Sequence, residues 1–225
     1  GVVLISGSPF LGILAGAVAG ATTAAIFGFF VLGLATNQVA TGLALTIFGT
    51  GLSGLAGAPL VGQAIEGLPT LSIPILSKIP MVGVLFTLDF LAYLSVALVA
   101  VTSFFLFHTR LGLVIRAVGD NHHSAHALGY SVLRVRFFAV LFGGIMAGLA
   151  GAYLPLVLTP HWAEGMTAGR GWIALALVVF ASWQPYRVIA GALLFGGVTI
   201  MQLAGQSRGW SIPPQLLSML PYFAT

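Results

Sequence analysis

Long apolar runs alternate with short polar breaks along the chain, and most of these runs are long enough to cross a membrane. A membrane-spanning helix needs about 20 mostly apolar residues. The pattern predicts six helices in the membrane, of which the fifth is short for a full crossing. They are 10–34, 39–57, 88–107, 137–158, 172–183 and 188–203. A further apolar helix begins near the C-terminus. We therefore predict an all-α, polytopic helical membrane protein with about six to seven spanning or half-spanning helices.

The stretch 58–84 interrupts this pattern. Pro59, Pro69, Pro74 and Pro80 recur too often for a straight helix, and Glu66 and Lys78 add charge. We predict a long loop outside the membrane or at its surface.

Composition supports membrane insertion. The 225 residues are 59% hydrophobic, with a mean hydropathy of +1.09, and carry 8 Lys and Arg against 4 Asp and Glu. A water-soluble domain usually has about one charged residue in four. Cysteine is absent, which excludes disulfides and thiolate metal sites. The sequence opens without methionine and stops inside an apolar run, so we expect a single transmembrane domain, 1–225, with both ends incomplete.

The positions of the basic residues predict the orientation of the spans. Segment 108–136 contains four of the eight basic residues and four of the five histidines. Basic residues beside spans mark the cytoplasmic side, so this segment is predicted inside, while 58–84 and 160–170 are predicted outside. Arg187 then falls inside, and Arg208 falls outside as a tolerated exception. The net charge of +4 therefore reflects membrane topology and does not indicate nucleic-acid binding.

Within this cytoplasmic loop, 108–136, the run from Gly119 to Gly129 has the marks of a short helix. Asp120 or Asn121 can act as the N-cap, and Gly129 can end the helix. Ala125 and Leu128, three residues apart, offer a small apolar contact face. So short a helix is marginal alone in water and needs a surface on which to dock. A purely topological role for the charged loop remains the alternative.

Resemblance sharpens this interpretation. The sequence "GLVIRAVGDNHHSAHALGYSVLRVRFFAVLFGGIMAGLAGAYLPL" resembles the permease subunits of bacterial ABC importers for simple sugars, nucleosides and branched-chain amino acids. The runs "NQVATGLALTIFG", "GMTAGRGWIALALVVF", "ASWQPYRVIAGALLFG" and "IPPQLLSMLPY" extend the similarity in the same order. They are most similar to the nucleoside and simple-sugar branch.

The resemblance implies an assembly in the bacterial cytoplasmic membrane. It implies a second permease subunit, identical or different, a cytoplasmic ABC ATPase subunit and an extracytoplasmic solute-binding protein. It also implies that the loop helix couples the permease to the ATPase through Gly119, Asp120, Asn121, Ala125, Leu128 and Gly129. No nucleic-acid partner and no cofactor are expected.

The solute pathway is predicted to use uncharged groups, because a sugar or nucleoside needs hydrogen bonds and stacking without fixed charge. The candidates lie near the polar break at the start of the second span: Asn37, Gln38, Thr46, Phe48 and Thr50. Each could instead make a helix–helix contact.

Motifs for catalysis and metal binding are weak or missing. The chain has no Gly-x-x-x-x-Gly-Lys-Ser/Thr loop, so we expect ATP hydrolysis in a partner and no enzymatic activity here. His122 and His126 share a helical face but have no further ligand, so we predict no metal site. Asp89 is interpreted as a helix cap, with a solute ligand or a proton site as the alternative. The scarcity of carboxylates inside the spans argues against the alternative function, a stand-alone secondary carrier or channel.

Glycines predict close helix packing. Gly12, Gly16 and Gly20 are spaced four apart, as are Gly144 and Gly148, with Ala147 and Gly151 extending the second run. Small residues at this spacing let two helix backbones approach each other in lipid.

Overall fold

The computed structural model describes residues 1–65, 67–69 and 87–208. Its helices are α1 Val2–Ser6, α2 Pro9–Gly28, α3 Gln38–Gly57, α4 Phe90–His108, α5 Arg110–Asp120, α6 His122–Ala127, α7 Val132–Tyr153, α8 Arg170–Phe180 and α9 Pro185–Ser207. Most of the predicted outer loop, including Glu66 and Lys78, and the predicted C-terminal helix lie outside the described residues.

The predicted spans correspond to these helices. Four helical stretches of the described chain are long and apolar enough to cross a membrane: Pro9–Gly33, Gln38–Leu60, Phe90–His108 and Val132–Leu158. The first and last of these extend α2 and α7 by a π-helical turn, and the second extends α3 by a 3₁₀ turn. The fifth predicted span matches the short helix α8, and the sixth lies within α9. The prediction of a polytopic helical membrane protein is confirmed.

The described residues fall into two compact units. The first comprises Gly1–Tyr93 and Thr109–Thr167, and the second comprises Leu94–His108 and the chain from Ala168 onward. In the second unit, α8 and α9 form a helical hairpin in which Gly191 lies against Leu177 and Phe180. The turn between them places Ser182 and Trp183 at positive φ angles of 49° and 57°.

The core of the first unit is the pair α2 and α7, which run antiparallel. A β-carbon on Gly16 would lie 2.9 Å from the carbonyl oxygen of Gly148, and one on Gly28 would lie 2.9 Å from the ring of Phe137. Gly20 lies against Gly144 in the same way. The predicted glycine packing is confirmed for Gly16, Gly20, Gly144 and Gly148, whereas Gly151 has open space beside it.

The ends of α3 and α4 fit the same arrangement. The indole of Trp162, which follows α7, lies directly against Gly57 at the end of α3. Phe90 at the start of α4 makes an edge-to-face contact with Phe10 at the start of α2, with ring centroids 5.8 Å apart. Within the first unit, one end therefore carries the described parts of the predicted outer segments, and the opposite end carries the basic loop.

Candidate functional site

The basic loop is more helical than its sequence suggested. Thr109 caps α5, because its Oγ1 accepts a hydrogen bond of 3.0 Å from the amide of Gly112. Val118 and Gly112 are buried, so one face of α5 packs inside the first unit. Helix α5 was not predicted from the sequence. The signal was present as apolar residues at i, i+3, i+4 and i+7, namely Leu111, Val114, Ile115 and Val118.

Helix α6 is shorter than the predicted docking helix. Of the two possible caps, Asn121 is the one observed: its Oδ1 accepts a 3.1 Å hydrogen bond from the amide of Ser124. Gly119 and Asp120 belong to the last turn of α5 instead. Gly129 adopts a φ of +86°, where an L side chain would be strained, and it follows the end of α6 as predicted.

The predicted apolar face of α6 is divided between the interior and the surface. Ala125 is 2% exposed, whereas Leu128 is 77% exposed. Ala125 also accepts a 3.2 Å hydrogen bond at its carbonyl from the amide of Tyr130, which closes the turn after the helix. Ala125 therefore holds α6 onto the first unit, and Leu128 is the apolar side chain available to a partner.

Histidines dominate the exposed side of α6. His122, His123 and His126 line a concavity of about 310 Å³, which Ser131, Val132 and Leu133 complete. The pKa of His122 is lowered from its usual 6.5, first by the charge of His123, then by partial loss of hydration and by the charge of Arg136. In the described part of the chain, no group of three or more His, Cys, Asp or Glu side chains could hold a metal ion.

The arginines of the loop lie on helices. Helix α7 begins at Val132, five residues before the predicted span, so Arg134 and Arg136 occupy its first turns and both are exposed. Arg110 and Arg116 lie on α5. The basic residues are thus carried by helices, of which α7 continues into a candidate span and α5 packs inside the first unit.

The predicted pathway residues lie along α3, but they do not form one surface. The Oδ1 of Asn37 caps the helix by accepting hydrogen bonds of 2.9 and 3.1 Å from the amides of Val39 and Ala40. Gln38 is the first helical residue. Thr46 and Thr50, four residues apart, share a face, and each donates its hydroxyl to a backbone carbonyl of α3. Phe48 points about 160° away from both, because successive helical residues are 100° apart. All five side chains are exposed.

A separate cavity of about 450 Å³ lies beside the α2–α7 pair, within the first unit. Its lining is mostly small and apolar, with Thr23 and Gln63 as polar contributors. The Oγ1 of Thr23 already donates to the carbonyl of Ala19. None of the predicted pathway residues lines this cavity.

Asp89 is a helix cap, as predicted. Its Oδ1 accepts a 2.9 Å hydrogen bond from the amide of Ala92, and its Oδ2 accepts one of 3.3 Å from the hydroxyl of Tyr153. Asp89 is only 8% exposed, and both carboxylate oxygens have partners. The side chain therefore joins the start of α4 to the end of α7.

Comparison with known proteins gives consistent matches. Residues 2–224 match the family described as branched-chain amino acid transport system / permease component. The putative glucose ABC transporter permease protein TsgC13 of Haloferax volcanii is 38% identical over 250 residues, covering 100% of this chain and 75% of that protein. No solved structure matches the chain at a significant level.

Two bacterial relatives are named for nucleosides. The nucleoside ABC transporter permease protein NupC of Lactococcus lactis is 31% identical, and the guanosine ABC transporter permease protein NupQ of Bacillus subtilis is 29% identical. Each alignment covers 97% of this chain and 71% of the relative.

Proposed function

Because this chain belongs to the permease component family of branched-chain amino acid transport systems, we propose that it imports a simple sugar or a nucleoside through coupling at α6. The chain is a multi-pass permease subunit of an ABC importer in the cytoplasmic membrane, a transport component and not an enzyme. The alternative of a stand-alone carrier or channel is set aside. Membership implies partner subunits of an ABC transporter.

The proposed solute class follows the named relatives and the chemistry of the spans. TsgC13 is named for glucose, and NupC and NupQ are named for nucleosides. The four helical stretches of the described chain that are long enough to cross a membrane hold little charge, which suits an uncharged solute that is bound by hydrogen bonds and stacking. Asn37, Gln38, Thr46, Phe48 and Thr50 remain the proposed pathway residues, with Thr46 and Thr50 on one face of α3.

The proposed coupling site comprises α6 and the residues at its ends, namely Gly119, Asp120, Asn121, Leu128 and Gly129, with Ala125 as the buried residue that holds the helix in place. The observation that supports it best is that α6 is fixed from inside by the buried Ala125 while Leu128 remains exposed. A short helix held in this way can transmit movement of an ATPase subunit into α5 and α7, with which it packs. A second permease subunit and an extracytoplasmic solute-binding protein complete the proposed assembly.

Leu128→Asp tests this coupling, with Leu128→Met as the matched apolar control. An aspartate in a closed contact with the ATPase subunit would cost about 1–3 kcal/mol, because it buries an unpaired polar group. We expect the aspartate variant to fold and to insert normally but to lose ATP hydrolysis stimulated by glucose or guanosine, while the methionine variant keeps it. The measurement is solute-stimulated hydrolysis by the reconstituted complex. Full stimulated hydrolysis in Leu128→Asp would refute coupling at α6.

A further inference from the structure

The histidine surface of the basic loop, formed by His122, His123 and His126, is not explained by docking through Leu128 alone. His122, His123 and His126 are all exposed and border the same concavity, and the rings of His122 and His123 have centroids 4.1 Å apart. Histidine is the side chain whose charge changes most readily between pH 5 and 8. Three of them on one exposed helix form a surface whose charge depends on pH.

The elements around this histidine surface are predominantly basic. Helix α5 contributes Arg116 and Asp120, and α7 contributes Arg134 and Arg136. The charges of His123 and Arg136 keep the pKa of His122 below its usual value, so the unbound surface disfavours a proton there. A group carrying negative charge would reverse this effect, because it favours the charged form of His122.

Resting on the proposed docking of α6, we propose that His122, His123 and His126, together with Arg136, bind carboxylate side chains of the ATPase subunit in a proton-dependent manner. The partner is defined by charge complementarity, since segment 108–136 has four arginines and four histidines against the single acidic residue Asp120. Such rim charges tune the affinity and rate of association more than they supply the bulk of the binding energy.

The side chains next to the histidine surface favour a protein partner over lipid headgroups. Leu128 and Leu133 are exposed next to the histidines. This mixture of apolar and titratable groups is suited to a protein contact.

The direction of the pH dependence follows from linkage. Binding to a carboxylate would raise the pKa of His122 above its value in the free permease, so binding takes up a proton. The additional affinity is complete below the free-state pKa, which for His122 lies under 6.5. It is lost as the pH rises through the higher pKa of the bound state. The permease should therefore bind its ATPase subunit more tightly at pH 6 than at pH 8.

The test uses the full-length permease in neutral phosphatidylcholine nanodiscs, titrated with the ATPase subunit that co-purifies with it. We expect affinity to be about threefold to tenfold higher at pH 6 than at pH 8, the size expected for a few exposed ion pairs. The combined variant His122→Gln, His123→Gln and His126→Gln should lose this gain but still bind at pH 8. His161→Gln, a histidine outside the loop, should keep the gain.

A second variant tests the permanent charge. Arg136→Gln should bind the ATPase subunit more weakly at both pH values yet retain a gain on acidification, because the histidines remain. A triple glutamine variant with the full gain would overturn the proposal. The proposal would also be overturned if the three histidines had no effect on binding of the ATPase subunit and affected only binding to phosphatidylglycerol nanodiscs. That result would assign the surface to lipid. Absence of ATPase binding by the unaltered permease at any pH would overturn the proposed docking itself.

Discussion

At the scale of single residues, the buried charge of Asp89 is satisfied by hydrogen bonds. Asp89 is the one charged side chain that is buried among the described residues, and both of its carboxylate oxygens accept hydrogen bonds. An ion-coupling carboxylate would need a free oxygen facing a water-filled pathway. Asp89 instead has the geometry of a structural cap that also ties α4 to Tyr153.

Replacing Asp89 separates the structural role from a role in proton coupling. Asparagine caps helices about as well as aspartate, whereas alanine loses about 0.5–2 kcal/mol. We expect Asp89→Asn to retain most ATP-driven uptake, even when the proton gradient is dissipated, and Asp89→Ala to unfold at a lower temperature. Proteoliposome uptake at constant ATP and thermal unfolding measure these effects. A folded Asp89→Asn protein without uptake would contradict the structural role.

Sequence could predict residues whose role is local. The caps at Asp89 and Asn121 and the glycine after α6 depend on neighbours three or four positions away, so their patterns are visible in the sequence. Whether Ala125 and Leu128 share a surface depends instead on how α6 packs against α5 and α7. No local sequence pattern encodes that orientation. In the structure, Ala125 is buried and Leu128 is exposed.

At the scale of elements, the closest helix contact is made by glycines of α2 and α7. A β-carbon on Gly144 would lie 2.6 Å from the carbonyl oxygen of Gly20, while one on Gly143, the preceding residue, would meet nothing within 4 Å. In lipid, helices associate largely through such close packing. The two adjacent glycines therefore provide a matched pair of positions on one helix.

Gly144→Ala should destabilise the protein, and Gly143→Ala should not. The added methyl group at 144 forces α2 and α7 apart, at a cost of about 1–3 kcal/mol. At 143 the same change faces open space and gains up to about 1 kcal/mol of helix propensity. Thermal unfolding of the two variants in the same detergent measures the difference. Equal melting temperatures would show that the α2–α7 contact contributes little to stability.

The sequence predicted helices better than it predicted their boundaries and partners. Long apolar runs gave the spans, since burial in lipid requires them to be continuous. Helix α5 was missed because its amphipathic pattern lies in a segment dominated by charge. The glycine spacing in α2 and in α7 predicted close packing, but only the structure shows that the two runs meet each other in antiparallel orientation.

At the scale of the whole molecule, membrane class and family follow from features that extend along the entire chain. Hydropathy and the order of the matching runs are properties of more than 200 residues, so local changes do not obscure them. The identity of the solute does not follow from such features. Its selection depends on a small number of side chains, and the predicted candidates on α3 are spread over more than one face.

The orientation of the first unit can be tested with single cysteines, because the chain has none of its own. Ser124 lies in the basic loop, beside the start of α7. Glu164 lies at the opposite end of that unit, where a β-carbon on Gly54 of α3 would be 3.4 Å from its carboxylate. Since basic residues favour the cytoplasmic side, an impermeant maleimide should label Glu164→Cys in whole cells and should label Ser124→Cys only after the cells are opened. The antiparallel α2–α7 pair fixes the two sites at opposite ends of one packed unit. Labelling of Ser124→Cys from outside would therefore mean that all helices of the first unit have the opposite orientation. The docking surface would then lie outside the cytoplasm.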